Sequence, residues 1–183
     1  MVEIRELLKS DQEALKRFFL SLSDETVFNF NHFNNTRLGG NVNTETAADV
    51  QSYMLVSEPY NVPDNEKVWV AWKKGYGEPD DEIIALGLLH FSPDKPTPTK
   101  TCSLGLVVTD AYQGKGLGMR LMGTMIGAAA LAGMRKIWLQ TYAGNDRSIT
   151  LYKKFGFKAE GVFFSQEFDG EKPLAVVSMG LIL

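Results

Sequence analysis

The stretch that decides the fold is VTDAYQGKGLG at residues 108–118, where the end of a strand runs directly into a loop rich in glycine and then into a helix. Gly114, Gly116 and Gly118 stand at alternate positions, and a residue without a Cβ lets the backbone come close to a ligand. The helix that follows begins with N–H groups that lack an intrahelical acceptor, together with a partial positive charge. The sequence therefore predicts a phosphate-binding strand–loop–helix unit.

Two better-known phosphate loops do not match these letters. A Walker A loop requires Ser or Thr after its Gly-Lys pair, and Gly116 follows Lys115 here. A dinucleotide-binding G-x-G-x-x-G would need a glycine at position 119 or 121, and neither position holds one. The pattern that remains is Q-x-x-G-x-G at residues 113–118.

The rest of the chain reads as strands and helices of a single domain, residues 1–183, because neither a linker nor an internal repeat interrupts it. In the first half, Ser10 and Glu13 form a capping-box pattern at the start of a helix, and residues 24–43 carry few regular signals. The elements predicted there are a first strand from Val2, a helix to residue 22, a second helix over 43–54, and strands at 68–72, 83–91 and 101–109.

The second half begins with a long apolar helix that follows the loop and ends near Gly133. Either Asn145 or Asp146 is predicted to cap a further helix, which Gly156 ends. The remaining predictions are a strand at 136–141 and a final hairpin of strands at 162–168 and 174–183. Together these elements indicate an α/β domain with a mixed sheet.

Composition excludes several classes of function. A net charge of −3 provides no broad basic footprint, so neither nucleic acid nor an anionic membrane is expected as a partner. The most apolar run, residues 121–134, is shorter than the ~20 residues that span a bilayer, and the N-terminus lacks the apolar core of a signal peptide. Cys102 cannot form an internal disulfide, and with only His32 and His90 beside it no metal site is expected. We therefore expect a cytoplasmic protein.

Two motifs together resemble the GNAT superfamily of acyl-CoA N-acetyltransferases. The loop at 113–118 matches its pyrophosphate loop, and VTDAY at 108–112 matches the strand exit before that loop. Asn145, 27 residues beyond Gly118, opens N-x₆-Y-x₃-G-F, which includes LYKKFGF at 151–157 and matches the second signature. The resemblance covers almost the whole chain in element order. It implies a GNAT-like fold, with a mixed, mostly antiparallel central sheet flanked by helices, and transfer of an acetyl group from acetyl-CoA to a primary amine by direct attack.

The resemblance also implies which residues hold the donor. The backbone of two residues at a splayed strand would pair with the pantetheine arm, amides of residues 113–119 would hold the pyrophosphate, and Asn145 would bond the pantetheine or adjacent backbone. Tyr152 would lie near the thioester sulfur and protonate the departing thiolate, which makes it the expected catalytic residue. The expected donor-binding residues are Val107, Val108, Gln113, Gly114, Lys115, Gly116, Leu117, Gly118, Met119 and Asn145.

Each of these residues also has a structural interpretation. The glycines could form a turn and a close helix–strand contact, Asn145 could only cap its helix, and Tyr152 could be a core residue, since it shares helical spacing with Ile149 and Phe155. At the level of function, the alternatives are a non-catalytic acetyl-CoA sensor and a domain without a ligand. The final strands further suggest a homodimer by analogy.

The general base is left open by the sequence. Histone-type members of the family carry a carboxylate near the start of the strand before the loop, and residues 101–103, TCS, contain none. The remaining candidates are Cys102 as a covalent nucleophile, His90 as a base, and a water chain to Glu58 or Asp110.

The resemblance places the acceptor pocket between the stretch at 28–35, FNFNHFNN, and the last hairpin at 165–172. The first stretch alternates aromatic rings with amides, which could grip an amine by stacking and hydrogen bonds. Four acidic residues in or beside the same segments could attract a cationic acceptor: Asp24, Glu25, Glu167 and Asp169.

Overall fold

The computed structural model describes residues 1–31, 65–75, 81–92, 99–169 and 172–183. Within these ranges the chain forms seven strands and four α-helices: β1 (Val2–Glu6), α1 (Gln12–Leu20), α2 (Asp24–Asn31), β2 (Glu66–Lys73), β3 (Glu82–Phe91), β4 (Thr101–Val108), α3 (Leu117–Leu131), β5 (Lys136–Tyr142), α4 (Asp146–Lys154), β6 (Lys158–Asp169) and β7 (Lys172–Ile182). Short 3-10 turns, Lys9–Asp11 and Asp110–Tyr112, precede α1 and the loop before α3.

All seven strands belong to one sheet in the order β1-β2-β3-β4-β5-β7-β6. The pairs are antiparallel except for β4 and β5, which run parallel. The sheet is therefore mixed and mostly antiparallel, which confirms the predicted fold class.

A hydrophobic core lies on each face of the sheet. On one face α3 and α4 bury Leu121, Met125 and Tyr152 against the sheet, and on the other face α1 and α2 bury Phe18 and Val27. Such side chains contribute about 1.5–3 kcal/mol each when fully buried. Gly87 on β3 makes room for α3, since a Cβ there would lie 2.6 Å from Met125 Sδ.

The start of the chain differs from the prediction in two ways. The capping box at Ser10 and Glu13 does not form, because α1 begins after a 3-10 turn whose last residue is Asp11. The Asp11 carboxylate accepts from the Leu8 N–H at 2.8 Å and from Arg5 at 2.7 and 3.0 Å. A tertiary ion pair thus replaces the local cap.

The second difference is α2, which lies where few regular signals were found. Its first turn is capped by Ser23, whose Oγ accepts from the Thr26 N–H at 3.2 Å. Long-range hydrogen bonds from Ser23 and Thr26 to Asp110 hold it against the sheet, so tertiary contacts stabilise a helix with a weak apolar face. The helix predicted over 43–54 lies outside the described residues, as do His32 and the remainder of the aromatic stretch beyond Asn31.

The other predicted elements are confirmed with modest changes at their ends. The last two strands are longer than predicted and pair antiparallel, with Asp169 opposite Lys172 around a turn whose two residues lie outside the described ranges. Asn145 caps α4, because its Oδ1 accepts from the Ser148 N–H at 3.1 Å. Gly156, with a φ of +89°, ends that helix.

Candidate functional site

The site is built on a gap in the sheet between β4 and β5. These strands pair at only three positions, Thr101–Lys136, Cys102–Ile137 and Ser103–Trp138. Beyond them both strands continue without pairing to each other, while β4 stays paired to β3 and β5 to β7. The sheet therefore opens from residue 104 onward and exposes strand edges on both sides of a cleft.

The hydrogen-bond alternation in β4 shows which peptide groups face this cleft. The Thr109 N–H donates to the Ile84 carbonyl at 3.0 Å, and the Ser92 N–H donates to the Thr101 carbonyl at 3.3 Å. Because antiparallel partners alternate, odd-numbered residues of β4 direct their peptide groups toward β3, and even-numbered ones direct theirs toward the gap. Of the two predicted valines, Val108 thus presents its backbone to the cleft, whereas the peptide groups of Val107 lie on the β3 side.

The loop after β4 has the conformation that the glycine pattern indicated. Gly114 and Gly116 have φ values of +73° and +81°, in the left-handed region that glycine adopts without strain. Among the described residues, nothing lies within 4 Å of the position that a Cβ would occupy at either. Gly118 instead allows a close helix contact, since a Cβ there would lie 3.2 Å from Leu151 Cδ2. The loop thus leaves an open surface of backbone at the entrance of the cleft.

The first turn of α3 faces this opening with unpaired donors. The first intrahelical hydrogen bond is from the Arg120 N–H to the Gly116 carbonyl, so the N–H groups of Leu117, Gly118 and Met119 precede the helical ladder. With the helix dipole they form a site for an anion, worth about 0.3–1 kcal/mol per exposed charge and about 2 when partly buried. The Gln113 N–H, also predicted to belong to this row, donates to the Asp110 carbonyl at 3.2 Å.

The Gln113 side chain connects three elements. Its Nε2 donates to Thr26 Oγ1 at 3.0 Å and to the Val108 carbonyl at 3.1 Å, while its Oε1 accepts from Arg147 on α4. Thr26 Oγ1 in turn donates to Asp110 Oδ1 at 2.8 Å. These contacts hold the exit of β4 at a fixed distance from α2 and α4.

Tyr152 lies on α4 with its side chain buried, 7% exposed, in contact with Phe157. Burial raises the pKa of Tyr152 to about 12, against a smaller opposing effect of its hydrogen bond with Ser148. The hydroxyl therefore keeps its proton throughout the neutral range. Asn145 stands at the start of the same helix, so the helix positions both predicted residues on one wall of the cleft.

A single cavity of about 800 Å³ brings these features together. That volume is typical of sites for small molecules and cofactors. Its wall combines the β4 backbone, the glycine loop, the first turn of α3, β5 and α4; the predicted residues it contains are Val107, Val108, Gln113, Gly114, Gly116, Leu117, Gly118, Met119, Asn145 and Tyr152. Lys115 is not among the lining residues and holds its Nζ 5.0 Å from the centroid of the Tyr112 ring.

The sequence missed several residues of this wall. Thr26 and Asn29 on α2 line the cavity beside Glu25, which the sequence had already indicated as an acidic residue near the acceptor. The available signal for this helix was Ser23 followed by two acidic residues, a pattern typical of a helix start. Arg147 was also missed, because nothing in a single sequence separates it from ordinary surface cations.

The candidates for a base or nucleophile differ sharply in their surroundings. Cys102 is fully buried, and burial raises the pKa of its thiol to about 11, so it does not supply a thiolate nucleophile. Asp110 is partly buried, but hydrogen bonds from Ser23 and Thr26 outweigh that effect and lower its pKa. His90 pairs with Glu66, Nδ1 to Oε1, at 3.0 Å. Glu58 lies outside the described residues.

The described residues also bear on metal binding and membrane crossing. Within those ranges, no group of three or more His, Cys, Asp or Glu side chains is placed to hold a metal ion. No helix in the same parts of the chain combines the length and apolar character needed to cross a bilayer.

Comparison with known proteins agrees with this geometry. Two relatives from Bacillus subtilis align over 97 residues: the spermine/spermidine N(1)-acetyltransferase of strain 168, 36% identical, and the probable spermine N(1)-acetyltransferase of subsp. natto strain BEST195, 39% identical. Each alignment covers 51% of this chain and 62% of the relative, so it spans less than two-thirds of the relatives' length.

Solved structures share the whole fold. An acetyltransferase of the GNAT family from Streptococcus pneumoniae superimposes with a TM-score of 0.69 at 22% identity, covering 100% of both chains. The ribosomal-protein-S18-alanine N-acetyltransferase from Escherichia coli has a TM-score of 0.65 at 15% identity, covering 100% of this chain and 94% of its own. The family model described as Acetyltransferase (GNAT) family matches residues 38–157, which include the loop and the whole second motif. The chain therefore belongs to the GNAT acetyltransferase family.

Proposed function

We propose that the protein transfers an acetyl group from acetyl-CoA to a primary amine. The observation that carries this proposal is the cavity itself, in which an unpaired strand edge, a helix N-terminus and a protonated tyrosine share one wall. A flexible arm with a phosphate at one end and a thioester at the other fits these three features. Its phosphate would lie at the helix N-terminus, its extended chain along the strand edge, and its thioester near the tyrosine. Family membership supports acetyl-CoA as the donor.

The donor would be held mainly by backbone. Along β4 the peptide groups of Leu106 and Val108 face the gap, so an extended pantetheine arm can pair with them as a further strand would. The pyrophosphate would accept from the N–H groups of the loop and of the first turn of α3. Asn145 already uses Oδ1 for its cap, which leaves its Nδ2 to donate to the arm. Lys115 and Arg147 add positive charge near the entrance.

Tyr152 would supply the proton of the leaving sulfur. The hydroxyl carries its proton at neutral pH, as that of an ordinary tyrosine does, and a placed O–H donor stabilises a thiolate as charge develops on it. Most of the acceleration would come from holding amine and thioester together, for which about 7–11 kcal/mol is available in favourable cases.

The acceptor we propose is a cationic amine of the polyamine type. The B. subtilis relatives carry spermine or spermidine acetyltransferase in their names. In this chain Glu25 on α2 and Asp146 on α4 stand in the cavity wall, where carboxylates attract a second ammonium group of such a molecule.

The deciding experiment measures thiol release from acetyl-CoA with pooled acceptors: polyamines, amino sugars, amino acids, aminoglycosides, and peptides with lysine or a free N-terminus. We expect turnover in the polyamine pool. Turnover in another pool alone would replace the acceptor class, and silence in all pools would contradict the activity.

Tyr152→Phe then separates an enzyme from a sensor. The variant should retain acetyl-CoA affinity in calorimetry and lose turnover, and Tyr142→Phe provides the matched control, since it makes the same change in a buried tyrosine outside the cavity wall. Equal turnover of wild type and Tyr152→Phe would remove Tyr152 from the mechanism. Acetyl-CoA binding without turnover in any pool would favour the sensor.

We also propose a cytoplasmic homodimer joined through β6. This strand is the edge of the sheet, and it exposes Val162, Phe163 and Phe164, the last at 69%. Burying such a row against a second copy would remove an exposed apolar edge. Light scattering after gel filtration should give twice the chain mass, and Phe164→Glu should shift it to the monomer.

A further inference from the structure

We infer that His90, oriented by Glu66, is the base that removes the proton from the amine acceptor. The inference rests on the proposed function. An amine is an ammonium ion at neutral pH and has no lone pair for attack, so a proton acceptor must stand near the thioester end of the cavity. Neither Cys102 nor Asp110 is suited to this role. Cys102 is buried in the core, and hydrogen bonds from Ser23 and Thr26 lower the pKa of the Asp110 carboxylate, which makes it a weak base.

Sheet register places His90 beside the inner end of the cleft. Leu86 and Leu88 on β3 pack into the core beneath α1 and α2, so His90, two residues further on, points to that same face. Its partner across on β4 is Ser103, and Ser103 is also the last position where β4 pairs with β5. His90 therefore stands level with the point at which the gap opens.

Gly105 leaves this face of β4 without a side chain beside the cavity. It is the next residue after Ser103 on the same face, opposite Leu88, and it belongs to the cavity wall. His90 is the diagonal neighbour of Gly105 on this face, so it stands directly behind the cavity wall without being one of the lining residues, and proton transfer would pass through a water molecule. Tyr152 belongs to the opposite face, so acid and base stand on opposite sides of the strand edge that would hold the thioester.

Glu66 determines which nitrogen of the ring can act. The side chain of Glu66 is 6% exposed and that of His90 is 25% exposed. The Nδ1 of His90 lies 3.0 Å from Glu66 Oε1, and with Glu66 ionised this contact requires the proton on Nδ1. The lone pair is then on Nε2, for which no partner is found in the described part of the chain. Glu66 is thus a positioning residue that also stabilises the imidazolium after proton transfer.

Two charged groups in the neighbouring described elements have partners of their own. Lys67, the neighbour of Glu66, pairs with Glu6, 4.0 Å away. The helix packed on β3, α1, contributes apolar side chains to this face, and the buried carboxylate of Asp11, in the 3-10 turn before that helix, is bound to Arg5. From α2 the buried side chain is Val27, and from β4 it is the neutral Ser103.

The proton balance of the step is complete. The ammonium gives one proton to Nε2 of His90 through the water, and the lone pair of the neutral amine forms the C–N bond as the C–S bond breaks. The sulfur takes the proton of Tyr152, and the second proton lost by the nitrogen restores that tyrosine. His90 returns its proton to solvent, so one proton is released for each amide formed.

The test compares His90→Gln and Glu66→Gln with the control Lys67→Gln, using spermidine and acetyl-CoA from pH 6 to 9. Loss of a general base costs about 10²–10⁴-fold. We expect that loss in kcat/KM for His90→Gln with unchanged acetyl-CoA affinity, a smaller loss for Glu66→Gln, and none for Lys67→Gln. The acid limb of the wild-type pH–rate profile should be absent in His90→Gln, and added imidazole should restore part of the turnover of His90→Ala.

The outcomes separate this inference from the proposed function. With an active wild type, either of two results would show that His90 is not the base. One is that His90→Gln retains its rate within twofold. The other is that the rate falls, but imidazole does not restore turnover of His90→Ala and the acid limb of the pH–rate profile is unchanged. A wild type without turnover on any acceptor overturns the proposed function and this role with it. Should the variants fail to fold, nitrogen NMR of the wild type decides: only two histidines are present, and the inference requires the Nδ1–H tautomer at His90.

Discussion

Replacing Tyr152 by Phe should change how the free energy of unfolding depends on alkaline pH. An ordinary tyrosine has a pKa of 10.0, and burial raises that of Tyr152 to about 12. Above pH 10 the unfolded chain releases this proton while the folded chain retains it, so the stability contributed by Tyr152 is present below pH 10 and is lost as pH rises toward 12. By pH 11 the loss is on the order of 1 kcal/mol, since one pH unit above the ordinary pKa changes the equilibrium about tenfold.

The assay is urea unfolding of wild type and Tyr152→Phe at pH 8, 9, 10 and 11. All other tyrosines titrate in both proteins and cancel in the difference between them. That difference should be constant from pH 8 to 9 and then fall by roughly 1 kcal/mol by pH 11. A difference that stays constant to pH 11 would refute the reasoning, because Tyr152 would then titrate alike in the folded and unfolded chains.

Three further changes test the loop, the far edge of the sheet and the thiol. Gly116→Glu should abolish acetyl-CoA binding in calorimetry, because it adds a negative charge and a side chain at a left-handed position of the loop. The control Gly116→Asn should still bind, since asparagine tolerates that conformation. Equal binding by both variants would contradict the loop assignment. Gly180→Ala would place a Cβ near the Glu160 carboxylate and displace that carboxylate from Lys136. We expect the free energy of unfolding, measured by thermal unfolding, to fall by at most about 1 kcal/mol. The same loss in a Glu160→Ala background would contradict this cause. Cys102 should resist a thiol reagent in the native protein and react in denaturant, and native labelling would show that the core opens there.

The parts of the fold that sequence predicted are those whose signals are local. The glycines of the loop, the cap at Asn145 and the stop at Gly156 each act within a few residues of the chain, so a single sequence displays them. The loop and the second motif could also be combined by their spacing, and the structure brings residues of both into one cavity wall.

What sequence missed depends on contacts between distant residues. The helix at Asp24–Asn31 is stabilised through Asp110, which is more than eighty residues away, so the local start signal at Ser23 was not sufficient to predict it. Val107 and Val108 differ in which side of β4 their peptide groups face. This depends on which residues of β4 form hydrogen bonds with β3, and the alternation of apolar residues in the sequence does not reveal it. The pair of Glu66 and His90 likewise exists only through the register of β2 and β3.

The opening between β4 and β5 has a consequence for how the protein can vary. Recognition along an unpaired strand edge uses N–H and C=O groups that every residue except proline carries, so the donor arm would be bound without reading any side chain. The side chains along this edge can then be substituted to suit the packing of the core without loss of the donor site. Differences in acceptor preference among relatives should accordingly be concentrated in α2 and other walls of the cavity, away from the strand that holds the donor.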